Sequence, residues 1–208
     1  MISANHYKRK QKMNNTLFKA LVLTVLICQS SWAQDKSPYY GYFPSKIGSE
    51  WKQLQHNIIG FAIDIPSTWT FGIKGQPPTA AALLYPESMN LAQFSAEYGH
   101  LEIGTLPMKG ISLTEAAGYT LKGMRQGHPN LVMIEEPKEQ NIAGMPTITF
   151  SFSWLSKTGF TLIEKVRLLE EKGVIYSLTI RATQRAIDTN GTLYDKILSA
   201  FTSVDRKY

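Results

Sequence analysis

The chain has 208 residues, 22 Lys and Arg against 16 Asp and Glu, and one cysteine, a size that suits one domain with appendages. Five of the cationic residues lie in the first 34 positions and every acidic one lies from Asp35 onward, so the remainder holds 17 against 16 and lacks the concentrated basic face of a nucleic-acid-binding domain. The lone cysteine is Cys28, ahead of that remainder, which excludes a disulfide framework and thiol chemistry from the body of the protein.

The chain opens on a basic segment, Lys8, Arg9, Lys10, Lys12 and Lys19, followed by the short apolar run "ALVLTVLIC" from Ala20 to Cys28. Ser31 and Ala33 then stand where signal peptidase prefers small residues, so residues 1–33 read as a cleaved secretory signal and the protein is expected in the periplasm or outside the cell. Met1 and Met13 both remain open as the start. An acylated Cys28 would need a small residue in place of Ile27, and the cleaved signal is the better reading. No later stretch is long and apolar enough to span a bilayer.

Residues 34–49, with "SPYYGYFPSKIGS", form a linker or an arm laid over the domain, rich in turn residues and tyrosine. Tyr39, Tyr40 and Tyr42 are expected to pack on the parent domain, because aromatic rings have large areas to bury. The domain itself is placed at residues 50–208. In "GFAIDIPSTWTF", Phe61, Ile63 and Ile65 alternate with Ala62 and Asp64, the period of a half-buried strand. Pro66 ends it by removing a ladder donor, and Trp69 folds back as a core anchor rather than a ligand-stacking residue.

Further strands are predicted at Ala80 to Tyr85 and Leu101 to Met108, with a short helix or ordered loop between Glu87 and Tyr98. Leu113, Ala116, Ala117, Thr120, Leu121 and Met124 fall on one helical face. Ser112 and Glu115 supply a capping box at its start. The second half reads as antiparallel strands: "PTITFSFSWL" alternates an apolar face with Thr147, Thr149, Ser151 and Ser153, and short glycine-bearing links lead to Phe160 to Leu169 and Val174 to Ala182. A last helix from about Thr189 to Thr202 turns Leu193, Ile197, Leu198 and Phe201 inward. The class is α+β, one antiparallel sheet flanked by helices in an α/β/α-type layered sandwich.

These marks resemble the PsbP-like or DcrB-like fold family. The residues that carry the likeness are Gly60, Phe61, Ile63, Pro66 and Trp69; Gly144 and Pro146; Gly159, Gly173 and Tyr176; and Ile197, Leu198 and Phe201, in an order that spans Glu50 to Val204. The resemblance implies an exported accessory or binding protein without catalysis, and fold alone does not name its partner.

The chemistry of the residues agrees with that expectation. Glu97, His100 and Glu102 are the nearest approach to a metal-ligand group and read as solvated side chains; no cofactor is expected. There is no Gly-x-Ser-x-Gly elbow and no phosphate-cradling loop. Glu135 and Glu136 are adjacent, so on a strand they point to opposite faces and cannot act as a pair. If the hairpin registers match, Thr149, Ser151, Lys165, Arg167, Thr179 and Arg181 share one hydroxyl-rich, basic sheet face. That face suits an envelope protein or an anionic or lipid ligand. Two alternatives accompany this reading: a carrier of a lipid or anionic molecule, and a dedicated chaperone or neutraliser of one partner protein.

Overall fold

A computed structural model describes residues 40–76, 79–89, 99–106, 110–157 and 159–206. They form eleven strands and two helices: β1 (Tyr40–Pro44), β2 (Trp51–His56), β3 (Phe61–Pro66), β4 (Trp69–Lys74), β5 (Ala81–Pro86), β6 (His100–Thr105), α1 (Leu113–Gly127), β7 (Val132–Ile142), β8 (Met145–Leu155), β9 (Thr161–Glu171), β10 (Val174–Thr183), α2 (Gln184–Ser199) and β11 (Thr202–Ser203). Of the predicted helix or loop between Glu87 and Tyr98, only residues 87–89 are described, and they form no helix; the rest lies outside the described residues.

All strand pairs are antiparallel, which fits the short links between them. They make two sheets rather than the single one expected: a four-stranded sheet in the order β1-β2-β3-β11 and a seven-stranded sheet in the order β4-β5-β6-β10-β9-β8-β7. The division falls at the corner of "IPSTW". Pro66 closes β3 opposite Trp51 in the first sheet, and Trp69 opens β4 opposite Pro86 in the second.

One helix packs on each face of the larger sheet. Ala116, Ala117 and Leu121 of α1 bury Ile148, Phe150, Phe152, Val166, Leu168 and Ile175. The opposite face carries Leu101, Ile103, Leu178 and Ile180, packed with Ile187, Tyr194 and Ile197 of α2 and with Phe61, Ile63 and Ile65 of β3. The expected layering therefore holds for the two helices, with the four-stranded sheet sharing the α2 side. This second core also corrects the reading of β3 as half-buried: Ala62 and Asp64 are buried along with their apolar neighbours.

Local signals explain the ends of the elements. Both halves of the capping box at Ser112 and Glu115 are made. Helix α2 starts at Gln184, five residues ahead of the expected Thr189, because Thr183 ends β10 and caps the helix through its own side chain, accepting from the Ala186 N–H. The hairpins β7–β8 and β9–β10 each turn on two residues with positive φ, Ala143–Gly144 and Lys172–Gly173, the primed geometry that matches strand twist.

Residues 40–44, expected in a linker or arm, form a strand of the four-stranded sheet. Tyr40 and Tyr42 both meet Phe71 edge-on, at ring-centroid distances of 4.8 Å and 6.0 Å, so these two pack on the parent domain as expected; Tyr39 lies outside the described residues. Gly60 ties the sheets together. Its carbonyl accepts the Tyr176 hydroxyl at 2.9 Å and the Val204 N–H at 2.9 Å. Its φ of +88° would strain any side chain there, and an added Cβ would stand 2.7 Å from Arg206 Cγ and 3.1 Å from the Val204 carbonyl oxygen. Among the described residues no helix is long and apolar enough to cross a membrane.

Candidate functional site

The six residues expected on one sheet face are divided between two. Thr149 lies opposite Arg167, and Ser151 opposite Lys165. Directly opposed residues share a face, so these four stay together on the α2 side. Across the next hairpin Thr179 lies opposite Val166 and Arg181 opposite Glu164. Val166 packs under α1, so Thr179 and Arg181 belong to the other face. The two-residue turn at Lys172–Gly173 causes the exchange: it pairs odd-numbered residues of β9 with even-numbered residues of β10.

On the α2 side, Lys165 is exposed, Thr149 and Arg167 are half-buried, and Ser151 is buried with its hydroxyl donating to Glu135 Oε2 at 2.8 Å. Thr149 Oγ1 accepts from Gln140 Nε2 at 3.0 Å. Burial holds the Arg167 guanidinium below its ordinary value, with Asp195 of α2 opposing that shift. Its Nε is buried without a hydrogen-bond partner among the described residues. Beyond this group, where β7 begins and β8 turns into β9, four large apolar side chains are exposed: Val132, Ile134, Leu155 and Phe160.

On the α1 side, the strand registers place Phe152, Glu164, Arg181 and His100 in one row across β8, β9, β10 and β6. Glu164 is fully buried. Its Oε1 accepts from Arg181 Nε at 2.6 Å and from Trp154 Nε1 at 2.9 Å. Burial works against the Arg181 charge, but the Glu164 carboxylate, through its field and its hydrogen bond, with a smaller part from Glu102, more than offsets it and leaves the group above its ordinary value. His100, expected to be solvated, is buried. Desolvation, then the charges of Arg181 and Lys74, lowers its pKa to about 3, so the imidazole is neutral at ordinary pH. Glu102 pairs with Lys74 at 3.6 Å; Glu97 lies outside the described residues, and no group of three metal-ligating side chains occurs among them.

The outer wall of this row is aromatic. His128 stacks on Trp154 with ring centroids 3.8 Å apart and 26° between planes, and the Arg181 guanidinium lies over the indole at 5.9 Å. Burial, followed by the opposing fields of Glu164 and Arg181, leaves the His128 pKa below its usual value. None of this group except Arg181 figured in the expected binding face. The signal was present: Glu164 is the one charged residue among Leu162, Val166 and Leu168 on the buried parity of β9, a position that a charge occupies only with a partner. Trp69, by contrast, is buried in the core as expected.

No family model and no curated protein matches the sequence. Solved structures do. A putative regulator of unknown function, PA94 from Pseudomonas aeruginosa, superimposes with a TM-score of 0.50 at 12% identity, covering 82% of this chain and 99% of that one. Cyanobacterial PsbP (CyanoP) from Synechocystis sp. PCC 6803 gives 0.50 at 11% identity, covering 84% and 98%. At such identity the likeness is one of fold alone, and it agrees with the PsbP-like fold expected from the sequence, though with two sheets where one was expected; the DcrB side of the resemblance rests on the sequence marks alone.

Proposed function

We propose that this chain is an exported, non-catalytic accessory protein of the cell envelope that binds a partner protein through the outer end of its larger sheet. The observation that carries the reading is the clustering of Val132, Ile134, Leu155 and Phe160, which are 62%, 53%, 54% and 44% exposed. Val132 lies opposite Ser153, Leu155 opposite Thr161, and Phe160 directly precedes Thr161. Large apolar side chains exposed at neighbouring positions in this way point to an interaction site. Export is supported by the basic n-region, the apolar run and the small residues before Gln34.

The test is affinity purification of the tagged protein from its own cell envelope, with wild type beside Leu155→Asp/Phe160→Asp. A stoichiometric protein partner retained by wild type and lost by the double variant is the expected result; a partner held equally by both would move the interface elsewhere. A second reading, a carrier of an anionic ligand, is favoured by the unpartnered Arg167 Nε. It predicts a co-purifying small anion or lipid that disappears with Lys165→Glu/Arg167→Glu and is indifferent to the apolar pair.

A further inference from the structure

The α1 side of the sheet holds a carboxylate with an unused half. Glu164 Oε1 receives two hydrogen bonds, whereas Oε2 is buried and has no partner among the described residues. A buried charged acceptor left unmade is costly, and such an atom in a folded protein calls for a donor. Beside it Arg181 spends Nε on Glu164, and its side chain keeps 22% of its surface open to solvent. The Trp154 indole forms the adjoining wall: the Arg181 guanidinium lies over it at 5.9 Å, and the His128 ring stacks on it at 3.8 Å.

His128 differs from the rest of the group in what holds it. It is the C-cap residue of α1, anchored by its backbone N–H to the Met124 carbonyl, on the four-residue link to β7. Its half-buried ring is flanked in sequence by Gly127 and Pro129. The imidazole lies on the indole at the separation at which any flat ring would stack. It occupies a place that a ligand ring could take.

We infer that Glu164, Arg181 and Trp154 form a binding site for a neutral sugar ring, as a glycan would present it, and that His128 is the plug that fills it in the free protein. A ring lying on Trp154 in place of the imidazole would give one hydroxyl proton to Glu164 Oε2. A neighbouring hydroxyl oxygen would accept from the terminal nitrogens of Arg181. The site takes an uncharged ligand because the Glu164 and Arg181 charges already cancel. It is separate from the apolar corner on the other side of the sheet, and neither proposal depends on the other.

The test titrates the purified full chain with cellotetraose, chitotetraose and glycine by calorimetry. Binding of a tetrasaccharide with Kd of about 1 mM or tighter is expected, weakened about tenfold or more by Trp154→Phe and by Glu164→Gln. His128→Ala should tighten it several-fold, a gain that a folding defect cannot imitate if Glu164→Gln proves unstable. No tetrasaccharide binding to wild type or to His128→Ala, or binding that ignores Trp154→Phe, overturns the proposal. Binding of glycine alone would replace the sugar by a zwitterion and equally overturn it.

Discussion

The indole of Trp69 meets the phenol of Tyr194 edge to face, ring centroids 6.4 Å apart, and the same phenol oxygen accepts the backbone N–H of Gly99 at 2.7 Å. One side chain of α2 thus supports the first strand of the larger sheet and the start of β6 together. Tyr194→Phe should cost about 1–3 kcal/mol by leaving the buried N–H without its acceptor, and Trp69→Ala about 3–5 kcal/mol by opening a cavity. Because the two rings touch, the double variant should lose a different amount from the sum of the singles. Urea unfolding of the four proteins measures all three quantities.

Gly99 is fixed by proximity. A Cβ there would stand 2.4 Å from Ala182 Cβ and 2.4 Å from the Arg181 carbonyl oxygen, and a backbone atom cannot rotate out of the way. Gly99→Ala should cost about 3 kcal/mol through forced separation of β6 from β10. Hydrogen exchange should show the loss first in the amides of these two strands; uniform protection in the variant would contradict it.

The Glu164 and Arg181 pair makes a prediction about sign. Removing one partner strands a buried charge, so Arg181→Leu alone should destabilise by about 3–5 kcal/mol. Replacing both, Arg181→Leu with Glu164→Leu, should cost less than the single change, since no isolated charge remains. Chemical denaturation decides this directly, and a double variant weaker than either single one would show that the pair contributes beyond its own neutralisation.

His100 sets an acid limit on stability. Its pKa is lowered from 6.5 to about 3 in the folded protein, so the unfolded chain binds the proton first. Its stabilising contribution is complete above pH 6.5 and falls as the pH drops from there toward about 3. Each pH unit inside that window is worth about 1.4 kcal/mol, or about 2 kcal/mol between pH 7 and pH 5. His100→Asn should flatten this part of the profile. Denaturant titrations of both proteins at the two pH values compare the slopes, and equal slopes would disprove the assignment.

The sequence announced the parts of this fold that obey one simple period. The apolar face of β8, the face of α1 and the capping box all appear as residue spacing, because burial on one side imposes it. Strand β7 was missed, since two register shifts between Met133 and Lys138, with Pro137 among them, break the period along an exposed edge. The second sheet was missed because alternation shows that a strand is buried and not which strand it joins. The division of the candidate face was within reach: a two-residue turn between β9 and β10 reverses the odd and even parities, and that count places Lys165 and Arg181 on opposite sides. The Glu164 group needed only the question of why a carboxylate stands between Leu162 and Val166.

The Val204 N–H reaches the Gly60 carbonyl, and the Thr202 hydroxyl the Ala62 carbonyl 140 residues away in sequence. The strand that finishes the smaller sheet is therefore supplied after all the others have been synthesised. While a ribosome is still producing α2, β3 has an open edge and Gly60 lacks one of its two donors. Contacts of such separation also form slowly. The smaller sheet therefore cannot close until β11 has left the ribosome and reached the waiting edge of β3.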